Sequence, residues 1–141
     1  MRKLIVSEFI SLDGDVQAPG GKDEDRDGGF TYGGWSRSYW HDDIGATFGR
    51  FMAEIDTLLL GRRTYVTHAE AFEPDEASDP FGPVAKYVVL MTLEKSLWRN
   101  TTIVRDHVVE LIRALKAMPG KGILTDGSSQ LVPLLLAAGL V

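Results

Sequence analysis

The feature that most constrains this chain is a recurring unit. A short run of leucine and β-branched side chains breaks at a polar, glycine-bearing turn, and apolar residues at helical spacing follow. The unit is plainest at Thr57-Leu58-Leu59-Leu60, which runs into Gly61-Arg62-Arg63-Thr64, and at Ile123-Leu124-Thr125, which runs into Asp126-Gly127-Ser128-Ser129. Short continuous apolar runs bounded by turn signals read as strands buried on both faces. Such strands belong to parallel sheets covered by helices.

The rest of the chain extends the alternation. Lys3 to Leu12 reads as a first strand closed by Asp13-Gly14. Ile44, Phe48, Phe51 and Ile55 lie four, three and four apart, which puts one apolar stripe on a helix capped at Asp42 or Asp43. Tyr65 to Phe72 reads as a second helix, Pro74 to Pro83 as an acidic loop, Lys86 to Met91 as a third strand and Thr101 to Val104 as a short fourth. Val108, Leu111, Ile112 and Leu115 make a further helical stripe that stops at Pro119-Gly120. Leu131, Leu134, Leu135 and Ala138 make the last, with Pro133 in its first turns, where a missing amide costs least. The order βαβαββαβα predicts an α/β fold with a parallel sheet, and sheets of this kind bind ligands at the carboxyl ends of their strands.

Composition narrows the function. At 141 residues and 44% apolar, the chain has material for one core, so residues 1–141 are expected to form a single domain. The absence of cysteine removes disulfides, thiolate nucleophiles, iron–sulfur clusters and cysteine-ligated zinc. His41, His68 and His107 stand apart with no paired ligand spacing, so no metal site is expected. A net charge of −5 argues against a nucleic-acid partner, and no apolar stretch approaches the roughly 18 residues of a membrane span. Nor does the start carry a signal-peptide core, since Ser7 and Glu8 interrupt its apolar run; a cytoplasmic location is the expectation.

Two strand ends are candidates for binding. At Gly61-Arg62-Arg63-Thr64 the glycine lets the backbone turn, the helix start offers free amides, Thr64 adds a hydroxyl, and the arginines offer forked donors to phosphate. The same pattern suits a plain helix start whose arginines pair with Glu70 or Glu73. Asp126-Gly127-Ser128-Ser129 has the same placement and suits either a pyrophosphate cradle or an ordinary serine cap. The dinucleotide glycine fingerprint and the phosphate-loop lysine pattern are both missing, and the serines lack the nucleophile-elbow context of a hydrolase. Between the first strand and first helix, Asp15 to Trp40 holds six glycines with Phe30, Tyr32, Trp35, Tyr39 and Trp40 interspersed. A loop of this length is usually functional or disordered. Trp35, Tyr39 and Trp40 suit the walls of a flat-ring site, with Asp13 and Asp42 as candidate proton donors; packing and capping are the plainer roles for the same residues.

Taken together these stretches resemble the dihydrofolate-reductase-like superfamily. The nearest branch is the carboxyl-terminal reductase domain of the bifunctional riboflavin-biosynthesis deaminase-reductase. The resemblance rests on Lys3 to Gly14, Asp25 to Trp35, Asp56 to Tyr65, Lys86 to Val89, Ile123 to Ser128 and the Gly139-Leu140-Val141 ending, and it covers essentially the whole chain. It implies a three-layer α-β-α fold with a mostly parallel sheet, in which further carboxyl-terminal strands are expected beyond Val141. It also implies an NADPH-dependent reductase acting on a pterin-like, pyrimidine or ribosylated heterocyclic substrate. Residue by residue, Gly61, Arg62 and Thr64, with Arg63 beside them, match the segment that holds cofactor phosphates. Gly127 and Ser128, flanked by Asp126 and Ser129, match the pyrophosphate turn, and Thr92 joins the cofactor set at the exit of the third strand. Where family members often carry Ser-Arg after that strand this chain has Leu90-Met91, so NADH is open beside NADPH. The expected partners are a small heterocycle and a second copy in a homodimer. A catalytically inactive nucleotide-binding or interaction protein stands as the alternative on the same fold, and a protein that carries flavin or another cofactor in the same crevice as a third reading.

Overall fold

The computed structural model describes residues 1–141. Five strands form one fully parallel sheet: β1 (Leu4–Ser7), β2 (Ile55–Gly61), β3 (Ala85–Val89), β4 (Thr101–Val104) and β5 (Gly122–Asp126). Their order is β1-β5-β2-β3-β4, so the two strands with the glycine-bearing ends are neighbours in the sheet's interior. Four helices cover it: α1 (Asp42–Glu54), α2 (Arg62–Phe72), α3 (Val108–Ala117) and α4 (Val132–Ala137).

Strand periodicity explains the three layers. Successive side chains point to opposite faces, so Leu58 and Leu60 of β2 and Leu124 of β5 enter one core while Leu59 and Ile123 enter the other. The first core is closed by Phe48 and Phe51 of α1 and by Tyr65, Ala69 and Phe72 of α2. The second is closed by Ile112 and Leu115 of α3 and by Leu131 and Leu135 at α4. This is the α-β-α architecture expected from the resemblance, with the helices on the faces the parallel sheet requires.

Several boundaries differ from the sequence expectation. The first strand ends at Ser7 rather than Leu12: the Gly127 amide bonds the Ser7 carbonyl, and past that rung β5 has turned away and leaves β1 without a partner. Ile10 and Leu12 are therefore exposed. The second helix begins at Arg62, directly on the strand end, and the last is only six residues. The proline-marked loop hides a buried cluster. Asp79, fully shielded, accepts from Trp98 Nε1 and from Arg99 at 2.9 Å each, and buried Lys86 donates to Phe81 O at 2.7 Å with its ammonium 4.4 Å from the centre of the Trp98 ring. Burial pushes the Lys86 pKa down, against the pull of Asp79. The same cluster packs Phe81, Phe72 and Trp98 around one edge of α2.

Candidate active site

The topology makes the site. α2 leaves β2 on one face of the sheet, whereas α4 follows β5 on the other, so a crevice opens between two neighbouring strand ends. It is a cleft of about 1180 Å³ bounded by Gly61 to Thr64, by Asp126 to Ser129 and by the loop between β1 and α1. The two turns are stitched together. The Gly61 amide donates to Ser128 Oγ at 2.9 Å, and the Ser128 amide donates to Thr64 Oγ1 at 3.0 Å. Gly127 sits at φ +60°, and a Cβ there would meet Thr64 Oγ1 at 3.1 Å, so both conformation and space ask for glycine.

What remains free is suited to an anion. The first turn of α2 has no side-chain cap and no acidic residue, which leaves its amides and the positive end of the helix dipole toward the cleft. Ser129 and Gln130 line the cleft, and their amides take no partner within the chain. Arg62 lines it with no ion pair. Arg63 is bound to the loop, to Asp25 at 3.0 Å and to Asp27.

The loop itself is ordered by its own polar contacts. Trp35 Nε1 donates to Gln17 O at 2.9 Å, the Gly34 amide to Ala18 O at 2.8 Å, and Ser36 Oγ to Pro19 O at 2.7 Å. Gly33 lies so close to the opposing strand of the loop that a Cβ would fall 2.3 Å from Lys22 O. The loop carries two short 3-10 helices, at Asp27–Gly29 and Trp35–Tyr39. Trp40 reaches the cleft and also an adjoining apolar recess of about 580 Å³, with Phe48, Phe72 and Phe81.

Of the residues singled out in the sequence, the structure gathers Gly61, Arg62, Arg63, Thr64, Asp126, Gly127, Ser128, Ser129 and Trp40 at one cleft. Five others lie elsewhere. Asp13 is fully exposed beyond the end of β1, and the Ser11 hydroxyl, 2.7 Å away, holds its carboxyl below the ordinary range, the wrong direction for a proton donor. Asp42 opens α1 at the surface; Trp35 is spent inside the loop; Tyr39 is 77% exposed. Thr92 follows Met91, itself 75% exposed, and is not among the residues that line the cleft.

Two groups to which sequence reasoning gave no role at the site, His68 and Glu8, join Asp126 there. Asp126 Oδ2 lies 3.2 Å from His68 Nε2, and the His68 ring is held among Phe72, Phe81 and Trp98 at 5.6–6.2 Å between centroids. Beside them Glu8, the first residue after β1, has its pKa raised to about 7 by burial and then by the Asp126 charge. A carboxyl inside the run Ile5 to Ile10 was a signal in plain sight.

Comparison with known proteins gives this arrangement its family. The model of the RibD C-terminal domain matches residues 2–141, nearly the whole chain. The chain belongs to the RibD C-terminal domain family. A RibD C-terminal domain is an NAD(P)H-dependent reductase, and the protein is therefore an enzyme of that class. The chain is also similar to an uncharacterised protein of Bacillus subtilis strain 168, YyaP, at 24% identity over 99% of this chain and 70% of that protein. The helices of this RibD C-terminal domain include none long and apolar enough to cross a membrane.

Proposed function

We propose that the protein uses NADPH to reduce a small flat heterocycle, pterin-like, pyrimidine or ribosylated, in the cleft between β2 and β5. The observation that carries this reading is the uncapped start of α2 facing the crevice with an unpaired Arg62 beside it. The residues present fit the dinucleotide. The pyrophosphate falls to the Ser129 and Gln130 amides and the α2 amides, and the 2′-phosphate to Arg62. A bound nicotinamide supplies the hydride.

The protein's own work is placement. Gly61, Thr64, Gly127 and Ser128 fix the two turns at close approach, and the Arg63 pairs hold the loop across the strand ends. The acceptor ring is assigned to the recess walled by Trp40, Phe48, Phe72 and Phe81, whose apolar surface excludes water and selects a planar partner. Exposed Leu134 and Leu136 on α4 support the homodimer, which sedimentation of the purified chain checks. A cytoplasmic location goes with a chain free of cysteine and is checked by fractionation.

The experiment is a titration of the purified protein with NADPH and NADH, followed by nicotinamide fluorescence. Saturable binding, tighter for NADPH and reduced to the NADH level by Arg62→Ala, is the expected result. Equal affinity for both would remove the 2′-phosphate assignment, and binding of neither by folded protein would remove the reading as a whole.

A further inference from the structure

Glu8 stands where β1 hands over to the loop, and the β1–β5 register, with Ser7 opposite Asp126, brings it beside the Asp126–His68 pair. It lines the cleft, yet its Oε1 is closed off from solvent and has no hydrogen-bond partner. An ionised carboxylate in that state forfeits the bonds it had in water, whereas a neutral carboxyl loses much less and has an O–H to offer. Glu8 lines the cleft beside Asp126 and His68, which also line the recess assigned to the acceptor, and an unused donor at that junction has the chemistry a reductase needs for the proton that accompanies the hydride.

We propose that Glu8 is the catalytic acid of this reductase, delivering the proton to the nitrogen or oxygen of the bond that is reduced. The proposal rests on the reductase reading above. As the carbon of the acceptor's double bond gains the hydride, that bond's electron pair moves to its nitrogen or oxygen. The Glu8 O–H bond breaks and the proton passes to that atom. The cofactor is oxidised, the acceptor is reduced by two electrons, and Glu8 is left as a carboxylate that regains a proton from water.

The surroundings single this residue out. From β5, Asp126 opposes ionisation of Glu8 and is itself engaged by His68 of α2. Also on α2, Arg62, Arg63 and Glu70 line the cleft; from the loop, Asp15 and Glu24 do so with Arg37, which is spent on Gly20 O. Of these groups and Glu8, only Glu8 has a buried oxygen without a partner. Burial and the Asp126 charge hold it protonated to about pH 7, where an acid is both loaded and able to give up its proton.

The test compares the unaltered chain with Glu8→Gln and Asp126→Asn in three readouts: NADPH affinity, carboxyl-carbon NMR of glutamate-labelled protein, and NADPH oxidation with a panel of dihydropterins, dihydropyrimidines and cyclic imines. The Glu8 resonance, identified by its loss in Glu8→Gln, should titrate near neutral pH and move to lower pH in Asp126→Asn. Glu8→Gln should bind NADPH within about twofold of wild type, lose on the order of 10²–10⁴-fold in turnover, and lose the alkaline limb of the rate profile. Asp126→Asn should shift that limb to lower pH, an effect a purely structural role would not produce. A Glu8 resonance titrating in the ordinary carboxylate range, or full turnover in Glu8→Gln, overturns the proposal. So does a wild type that binds NADPH and reduces nothing in the panel, while the cofactor reading stands; a wild type that binds no NADPH removes both.

Discussion

Replacing Glu8 by glutamine tests the burial of this carboxyl without any substrate. The glutamine keeps the shape and removes the charge. In the folded protein the Glu8 pKa is raised from 4.5 to about 7, so between those values the native state holds a proton that the unfolded chain has released. Stability then falls as pH rises, because the unfolded state binds fewer protons. The native advantage is fully present below pH 4.5, is lost progressively up to about 7, and stays lost above it. The full shift corresponds to roughly 3 kcal/mol at about 1.4 kcal/mol per pKa unit. The carboxyl borders an open cleft, so solvent screening reduces this to about 1–2 kcal/mol. Urea denaturation should find Glu8→Gln equal to wild type on the acid side and about 1–2 kcal/mol more stable above neutrality, a midpoint shift of about 0.5–1 M for the slopes usual in urea. A variant that is less stable at alkaline pH, or a difference that does not vary with pH, would refute the claim that the native fold disfavours the charged form.

Four further outcomes follow from the same geometry. Arg62→Ala should weaken NADPH by about tenfold or more and leave NADH nearly unchanged, because a charge-assisted bond is worth about 1.5–3 kcal/mol; competition titrations against both nucleotides read this directly. Asp79→Ala strips the shared acceptor from buried Trp98 and from Arg99, which keeps Glu73, and should cost about 1–3 kcal/mol in denaturant unfolding. Trp40→Ala should raise KM for the best acceptor several-fold while Tyr39→Ala, at an exposed position outside the cleft, leaves steady-state kinetics intact. At the other end of the sheet, burial pushes the Asp56 pKa up, but the Lys121 amide, the Thr57 hydroxyl and Arg2 outweigh it and hold it below 3.8; its stabilising effect is present above 3.8 and lost as pH falls, so Asp56→Asn should flatten the acid limb of a melting profile.

What could be read from the chain alone follows the reach of each physical signal. The strand–turn–helix units at Gly61 and Gly127 were legible because period, turn residue and helix start all agree locally. That they meet was not legible, since it depends on β5 entering the sheet between β1 and β2, a pairing across more than sixty positions of which no short window carries a trace. The end of β1 failed for the same reason. Phe9 to Leu12 is as apolar as a strand, but a strand also needs a partner, and β5 turns away at Gly127. Asp13 was consequently placed at a strand end it never reaches, while Glu8, which does reach it, reads locally as an interruption.

The two adjacent arginines show where a motif stops and a fold takes over. In the sequence Arg62 and Arg63 are interchangeable donors on one glycine turn, and either suits a phosphate. On a helix, however, neighbours project about 100° apart, because about 3.6 residues complete a turn. Both belong to the first turn of α2, so one direction is available to a ligand and the other meets the loop. Asp25 and Asp27 come from a loop that Gln17 also ties down, its Nε2 donating to Asp27 O at 3.0 Å, and their carboxylates occupy Arg63 as a phosphate would. The tandem therefore divides its labour: Arg63 fixes the cover of the cleft, and Arg62 keeps its charge for what enters. It follows that Arg63→Ala should loosen the loop and affect NADPH and NADH alike, whereas loss of Arg62 alone should separate the two nucleotides. A common effect of both substitutions on both nucleotides would mean that the helix start, and not either side chain, recognises the cofactor.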